Sequence, residues 1–180
     1  GLNLNLVKTD KVLVYSRDSR ATTAFYEILN NRQEPDSGSF QWGITTSQSY
    51  LPLDNEEYFQ NDLSLVDWLR QYAKTEEERE EVYIRGFLGK MFMRANVLML
   101  DEPTNHLDLE SITSFNNSLK NFKGTILLTT HDQEFAQTVA TRMLELTPNG
   151  VIDRYMTFDE YMEDPKIAEL REKMYAVEVG

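Results

Sequence analysis

Residues 11–15 form a short run rich in β-branched and aromatic side chains, followed by a polar stretch over 16–22, and Phe25, Ile28 and Leu29 then recur at helical spacing over 23–30. The pattern predicts a strand, a loop and a helix. Alternation of Leu2, Leu4 and Leu6 predicts a half-buried strand before them, entered directly from residue 1, so the chain reads as a fragment that begins inside a domain. Two further strands are expected over 39–44 and 46–51, around the turn cluster Pro35-Asp36-Ser37-Gly38. Residues 63–72 return to helical spacing. Thr75 with Glu78 three residues later has the form of a capping box, which starts another helix whose apolar face is Ile84, Phe87, Leu88 and Met91.

The second half is cleaner. Residues 96–100 read as a strand that is apolar from Val97 on, 109–119 have helical spacing, 125–130 read as a second strand with the apolar centre Ile126-Leu127-Leu128, and 132–141 are helical with Asp132 as N-cap. Strands without a polar face that alternate with helices indicate a parallel sheet covered on both sides, hence an α/β fold with a mostly parallel core sheet. Residues 143–146 and 151–155 flank Asn149-Gly150 and read as a hairpin. The stretch 158–175 is an acidic amphipathic helix, or a pair of helices broken at Pro165.

Composition narrows the function classes. The 180 residues are 41% hydrophobic and 27% charged, as in one globular domain. Eighteen basic against 30 acidic side chains give a net charge of -12, which argues against a broad nucleic-acid surface on this chain. There is no cysteine, so no disulfide framework and no thiolate metal site, and the two histidines alone make a poor zinc cage. No apolar run approaches the roughly 20 residues needed to span a bilayer. The expectation is a cytoplasmic protein without a membrane segment or secretion signal.

The strongest candidate chemistry is Val97-Leu98-Met99-Leu100-Asp101-Glu102-Pro103, which places two carboxylates at the carboxyl edge of a buried parallel strand, where open α/β sheets bind ligands. Such an Asp can hold Mg²⁺ and such a Glu can polarise an attacking water. Asp-Glu alone fits a strand ending in a polar turn equally well. A second apolar strand, however, ends in His131-Asp132, so an imidazole is expected at the same edge.

Leu100-Asp-Glu-Pro-Thr-Asn-His-Leu-Asp108, running into Leu109-Glu-Ser-Ile112, resembles the ATP-binding cassette superfamily, and within it the soluble ABC-F subfamily. The resemblance continues through Thr129-Thr-His-Asp132 and Leu146-Thr-Pro-Asn-Gly-Val-Ile-Asp153, and through Trp68-Leu-Arg and Ile84-Arg-Gly-Phe-Leu-Gly-Lys90. It covers nearly the whole chain and is nearest to a second, C-terminal cassette. It implies a P-loop NTPase-like nucleotide-binding domain over residues 1–158, incomplete at its N-terminus and in a helical subdomain remnant over 62–92, followed by an acidic helical tail over 159–180. Asp101 would be the Walker B aspartate, a Mg²⁺ ligand, and Glu102 the catalytic glutamate. His131 would be the switch histidine and Asp108 the D-loop aspartate facing a partner cassette. The resemblance further implies ATP and Mg²⁺ as cofactors, a second cassette in the same chain or a homodimer as partner, and the ribosome as the place of action.

Three stretches depart from that pattern. A Walker A loop needs two glycines and a lysine, and here Tyr15, Arg20 and Ala21 stand at those places, with Thr22 kept at the Mg²⁺ hydroxyl position and Thr23 after it. Arg17 or Arg20 is a candidate replacement charge. Leu53 stands where a glutamine is expected, with Gln48 upstream as a substitute nucleotide-site residue. The family's Leu-Ser-Gly-Gly-Glu is missing between Lys90 and the Walker B strand. The expected function is therefore an ATPase cassette of an ABC-F protein acting in translation, with hydrolysis assigned to the parent protein. The alternatives are a catalytically degenerate cassette acting as an interaction or regulatory module, and an acidic module binding protein through residues 158–175.

Overall fold

The computed structural model describes residues 2–53, 75–79, 95–104 and 109–176. In chain order its elements are β1 (Lys11–Tyr15), α1 (Ser19–Leu29), β2 (Gln48–Leu51), α2 (Glu76–Arg79), β3 (Val97–Asp101), α3 (Leu109–Asn121), β4 (Thr125–Thr129), α4 (Gln133–Val139), β5 (Arg142–Thr147), β6 (Gly150–Arg154), α5 (Phe158–Glu163) and α6 (Pro165–Tyr175). The strands make one sheet in the order β2-β3-β4-β1-β5-β6, parallel except for the antiparallel β5–β6 hairpin. This is the mostly parallel α/β sheet expected from the apolar strands.

Period-two alternation sorts the side chains of each strand between the two faces of the sheet. Leu13, Leu98, Leu100, Ile126, Leu128 and Met143 point to the face covered by α3, α4, α5 and α6, where Leu119, Phe135, Val139, Tyr161 and Ile167 meet them. Val12, Val14, Val97, Met99, Leu127 and Leu144 point to the other face, under Phe25 and Tyr26 of α1. Each such aliphatic side chain contributes about 1.5–3 kcal/mol by leaving water, so the strands carrying the site are among the most firmly held parts of the chain. Gly124 makes the tight entry into β4 possible: a Cβ there would lie 2.3 Å from the Asn96 carbonyl oxygen and 2.5 Å from the Phe122 ring.

Topology positions the site. From β1 the chain crosses to the far edge, returns through β3 and β4 to lie beside β1, and then passes to the other side of β1 as β5. Strand order thus reverses around β1 and β4, and the carboxyl ends of β1, β3 and β4 open onto one crevice, the usual ligand position in such sheets.

Several local expectations change. Residues 2–7 are extended but pair with no described strand; Leu4 and Leu6 still pack half-buried on the α1 face, so the alternation reports burial and not a ladder. Residues 39–44 also form no strand, although Trp42 packs under α1 and donates its indole N–H to the Leu29 carbonyl at 3.1 Å. Helix α1 starts at Ser19, four residues earlier than its apolar spacing suggests, because Asp18 caps it. The terminal segment is a pair of helices, with Pro165 opening the second, where a missing N–H matters least. Most of the expected 62–92 subdomain lies outside the described residues. Among the described residues no helix is long and apolar enough to cross a membrane.

Candidate functional site

Asp101 is the last residue of β3 and only 2% exposed. Its Oδ1 accepts the Thr129 hydroxyl at 2.5 Å, and Thr129 is the last residue of the neighbouring strand, in register with Asp101. The other carboxylate oxygen, Oδ2, is buried and has no hydrogen-bond partner among the described residues. A buried, unsatisfied acceptor costs about 1–3 kcal/mol. Burial raises the Asp101 pKa, opposed by the Thr129 hydrogen bond and by the nearby Leu53 backbone, with Glu27 adding a smaller upward push.

Glu102 follows in a left-handed backbone conformation, φ +50°. Two bonds hold it there: its N–H donates to the Thr129 carbonyl and to the Thr129 hydroxyl, each at 3.1 Å. One threonine therefore orients both acids. The Glu102 side chain turns to the end of β4, where Oε2 accepts the His131 backbone N–H at 3.2 Å and Oε1 lies 3.4 Å from His131 Nε2. Burial raises the Glu102 pKa and the His131 side chain opposes that rise. The imidazole itself is 87% exposed. Asp132 caps α4 by accepting the Phe135 N–H at 3.0 Å, as its position after the strand predicts.

Thr22 is buried on α1, and its hydroxyl donates back to the Ser19 carbonyl at 2.8 Å. Thr23 beside it is half-buried. One turn further along, Tyr26 is fully buried, stacks on Tyr50 and turns its hydroxyl toward Thr129. Burial, and after it the Asp101 charge, push its pKa well up, which places that hydroxyl near the acid. Sequence reasoning missed Thr129 as an orienting residue, and Tyr26 entirely. Its signal was a polar-tipped aromatic one helical turn beyond Thr22, on a face otherwise expected to be aliphatic.

Gln48 is not brought to this edge. It is the first residue of β2, in register with Val97, so the length of the strand, about 10 Å, separates it from the level of Leu51 and Asp101. Asp108 and His106 lie outside the described residues, as do Trp68-Leu-Arg70 and Ile84–Lys90.

The edge fits Mg²⁺ by its donor chemistry: an unpartnered buried carboxylate oxygen, with a second acid and a hydroxyl nearby, is the hard-oxygen set that ion takes. A phosphate chain does not fit the loop between β1 and α1 as it stands. Its amides at Arg17, Asp18, Arg20 and Ala21 already donate to acceptors within the chain.

No family model matches the chain. It is 43% identical to the uncharacterized ABC transporter ATP-binding protein YkpA of Bacillus subtilis over 198 aligned positions, covering 94% of this chain and 36% of that protein. It is 31% identical to the probable ATP-binding protein YbiT of Escherichia coli O157:H7, over 92% of this chain and 36% of that one. The chain thus spans about a third of the length of these curated relatives. The YkpA alignment is longer than the 180 residues here, so that relative carries internal residues that this chain lacks. Among solved structures, an ATP-binding subunit of an ABC transporter matches with TM-score 0.60 at 17% identity, over 93% of this chain and 88% of that one. The archaeal ribosome recycling factor aABCE1, in complex with the stalk protein aP1, matches with TM-score 0.58 at 16% identity, over 93% of this chain and 44% of the other. At such identities the two structures show the fold.

Proposed function

The chain belongs to the ATP-binding cassette family, and from that premise we propose that it is a cassette of an ABC-F-type ATPase which contributes the acidic edge of an ATP site to ribosome-associated work in the cytoplasm. The observation that carries the reading is the buried Oδ2 of Asp101, without a hydrogen-bond partner among the described residues, beside Glu102 and His131. Asp101 would hold Mg²⁺, the ion that neutralises phosphate charge when bound. Glu102, whose pKa burial raises, would be a stronger base than an ordinary exposed carboxylate and would take a proton from water, with the His131 backbone N–H fixing its direction. The partner is a cassette that itself carries the Leu-Ser-Gly-Gly-Glu turn which the family presents across such a pair, since this chain, and hence a second copy of it, lacks that turn. Support for the ABC-F and ribosome assignment comes from the Asp101 to Ile112 sequence and from the fold shared with a ribosome recycling factor.

The test is a thermal melt of the chain with MgCl₂ titrated in the absence of nucleotide. An ion bound only by the folded state raises Tm saturably. Wild type is expected to rise and Asp101→Asn to stay flat; equal responses would sink the reading.

A second reading, a degenerate cassette that docks a competent partner, is favoured by the internally satisfied loop after β1. It is supported if Glu102→Gln leaves turnover unchanged when the chain is assayed with its partner cassette, and dismissed if turnover falls.

A further inference from the structure

We infer that the loop joining β1 to α1 is latched shut by the chain's own groups: the Asp18 carboxylate occupies the helix N-terminus where a phosphate would sit, and Tyr175 of α6 takes the Arg17 amide. A phosphate cradle works by leaving successive backbone N–H groups without partners until an anion arrives. Here Asp18 Oδ1 accepts the Arg20 N–H at 3.0 Å, and the Asp18 carbonyl accepts the Ala21 N–H at 3.0 Å. The Asp18 N–H donates to the Ser16 hydroxyl at 3.2 Å, and the Arg17 N–H to the Tyr175 hydroxyl at 3.3 Å.

The loop's cations are engaged as well. The Arg20 guanidinium grips both oxygens of Asp18, at 2.8 Å from Nη2 and 3.0–3.2 Å from Nε. The Arg17 guanidinium lies 3.9 Å from the centre of the Tyr175 ring. Neither replaces the missing lysine, since one is neutralised by a carboxylate and the other stacked on an aromatic face. The incoming ligand would also meet the Asp18 charge itself.

What makes this a latch and not a surface coincidence is the anchoring of α6. Glu145 of β5 is fully buried, in register with Tyr15 at the end of β1. It accepts the Tyr161 hydroxyl at 2.6 Å and pairs with Arg171 at 2.8 Å, so both C-terminal helices are bolted beneath the loop. The Tyr175 hydroxyl and the Ser16 hydroxyl donate to the same carbonyl, that of Leu146, at 3.4 and 3.0 Å. The loop and the C-terminal helix therefore share one acceptor and move together. The ligand class excluded is the polyphosphate chain of a nucleoside triphosphate, and it enters only when the latch opens.

This inference goes beyond the function proposed above, since it concerns phosphate entry and leaves Asp101 able to hold metal. The test titrates sodium tripolyphosphate into the 180-residue chain by calorimetry, comparing wild type with Asp18→Asn, Tyr175→Phe and the double variant. Asn is as good a helix cap as Asp, and Phe keeps the ring under Arg17, so the variants preserve the fold. The double variant is expected to bind at least about tenfold more tightly than wild type, each single variant less. Amide exchange at Arg17, whose acceptor Tyr175→Phe removes, is expected to quicken in the double variant without ligand, while the Arg20 amide stays capped by Asn. Wild type binding as tightly as the double variant, or a double variant that gains nothing, overturns the latch. A gain confined to Asp18→Asn, with Tyr175→Phe silent, removes α6 from it. The magnesium response of the melt fails or succeeds independently, because no latch residue contributes to the Asp101 edge.

Discussion

The two ends of the sheet treat buried charge in opposite ways. At the amino end, Asp10 and Arg142 pair at 2.7 Å with both side chains almost wholly out of water, and the same guanidinium reaches Asp153 at 2.6 Å, the Asn5 carbonyl at 3.1 Å and the Tyr155 hydroxyl at 3.0 Å. Each nitrogen of that fork has an acceptor. At the carboxyl end, Asp101 is as deeply buried as Asp10, yet one of its oxygens has no partner among the described residues. Burial of a charge is tolerated where it is fully paired and is otherwise destabilising. The amino end therefore reads as structure. The carboxyl end reads as a place that awaits a ligand.

The largest effect is expected from breaking the satisfied end. Arg142→Leu leaves Asp10 buried without a counter-charge and should destabilise the fold by about 3–5 kcal/mol, seen as a large drop in chemical denaturation midpoint. Adding Asp10→Asn to that variant should recover part of the loss, since the stranded charge is removed. If Arg142→Leu alone costs nothing, the amino-end network is ornamental and the contrast collapses.

A smaller effect of opposite sign is expected at the unsatisfied end. Asp101→Asn removes a buried charge whose ionised form is desolvated, and without metal it should stabilise the chain by about 1–2 kcal/mol. The pH dependence follows from the same cause. Burial raises the folded-state pKa of Asp101 above its unfolded value, so between the two pKa values the folded chain binds the extra proton. Its contribution to stability therefore falls as pH rises from about 4 through the folded pKa, and is level above it. Denaturation midpoints against pH should show that fall in wild type more steeply than in Asp101→Asn. Parallel curves would mean that Asp101 is satisfied after all.

Sequence alone carried the fold where burial is two-sided. The runs at 97–100 and 126–128 are apolar throughout because helices cover both faces of the sheet, so their type and order were readable, and with them the two acids and His131 at one edge. It failed where a residue is half-buried for a reason other than a ladder. Leu4 and Leu6 alternate like a strand but only rest on the α1 face, and Trp42 is held by an indole hydrogen bond to Leu29. In the loop after β1, the sequence announced what was lost, namely the glycines and the lysine. It did not announce what replaced them, because Arg17 and Tyr175 lie 158 positions apart and meet only through the anchoring of α6. Gln48 was misplaced for a related reason: strand direction, which sets the end of β2 it occupies, is invisible in composition.

The finest form of the contrast is a single backbone angle. Glu102 is held at φ +50°, where a side chain with a Cβ is disfavoured by roughly 1–2 kcal/mol and glycine is not. Both Glu102→Gly and Glu102→Ala delete the carboxylate and its contact with His131, so their difference isolates the backbone. Glycine loses more freedom on folding than alanine, which offsets part of the relief. The glycine variant should therefore be the more stable by about 1 kcal/mol, or about 2–4 °C in Tm for a chain of this length. A more stable alanine variant would mean that the conformation carries no strain. In the expected order, the Thr129 carbonyl and hydroxyl, which clamp the Glu102 N–H, hold the backbone against its preference. The strained turn is what swings the carboxylate from the direction of β3 toward the end of β4 and His131, which relaxed backbone would not do.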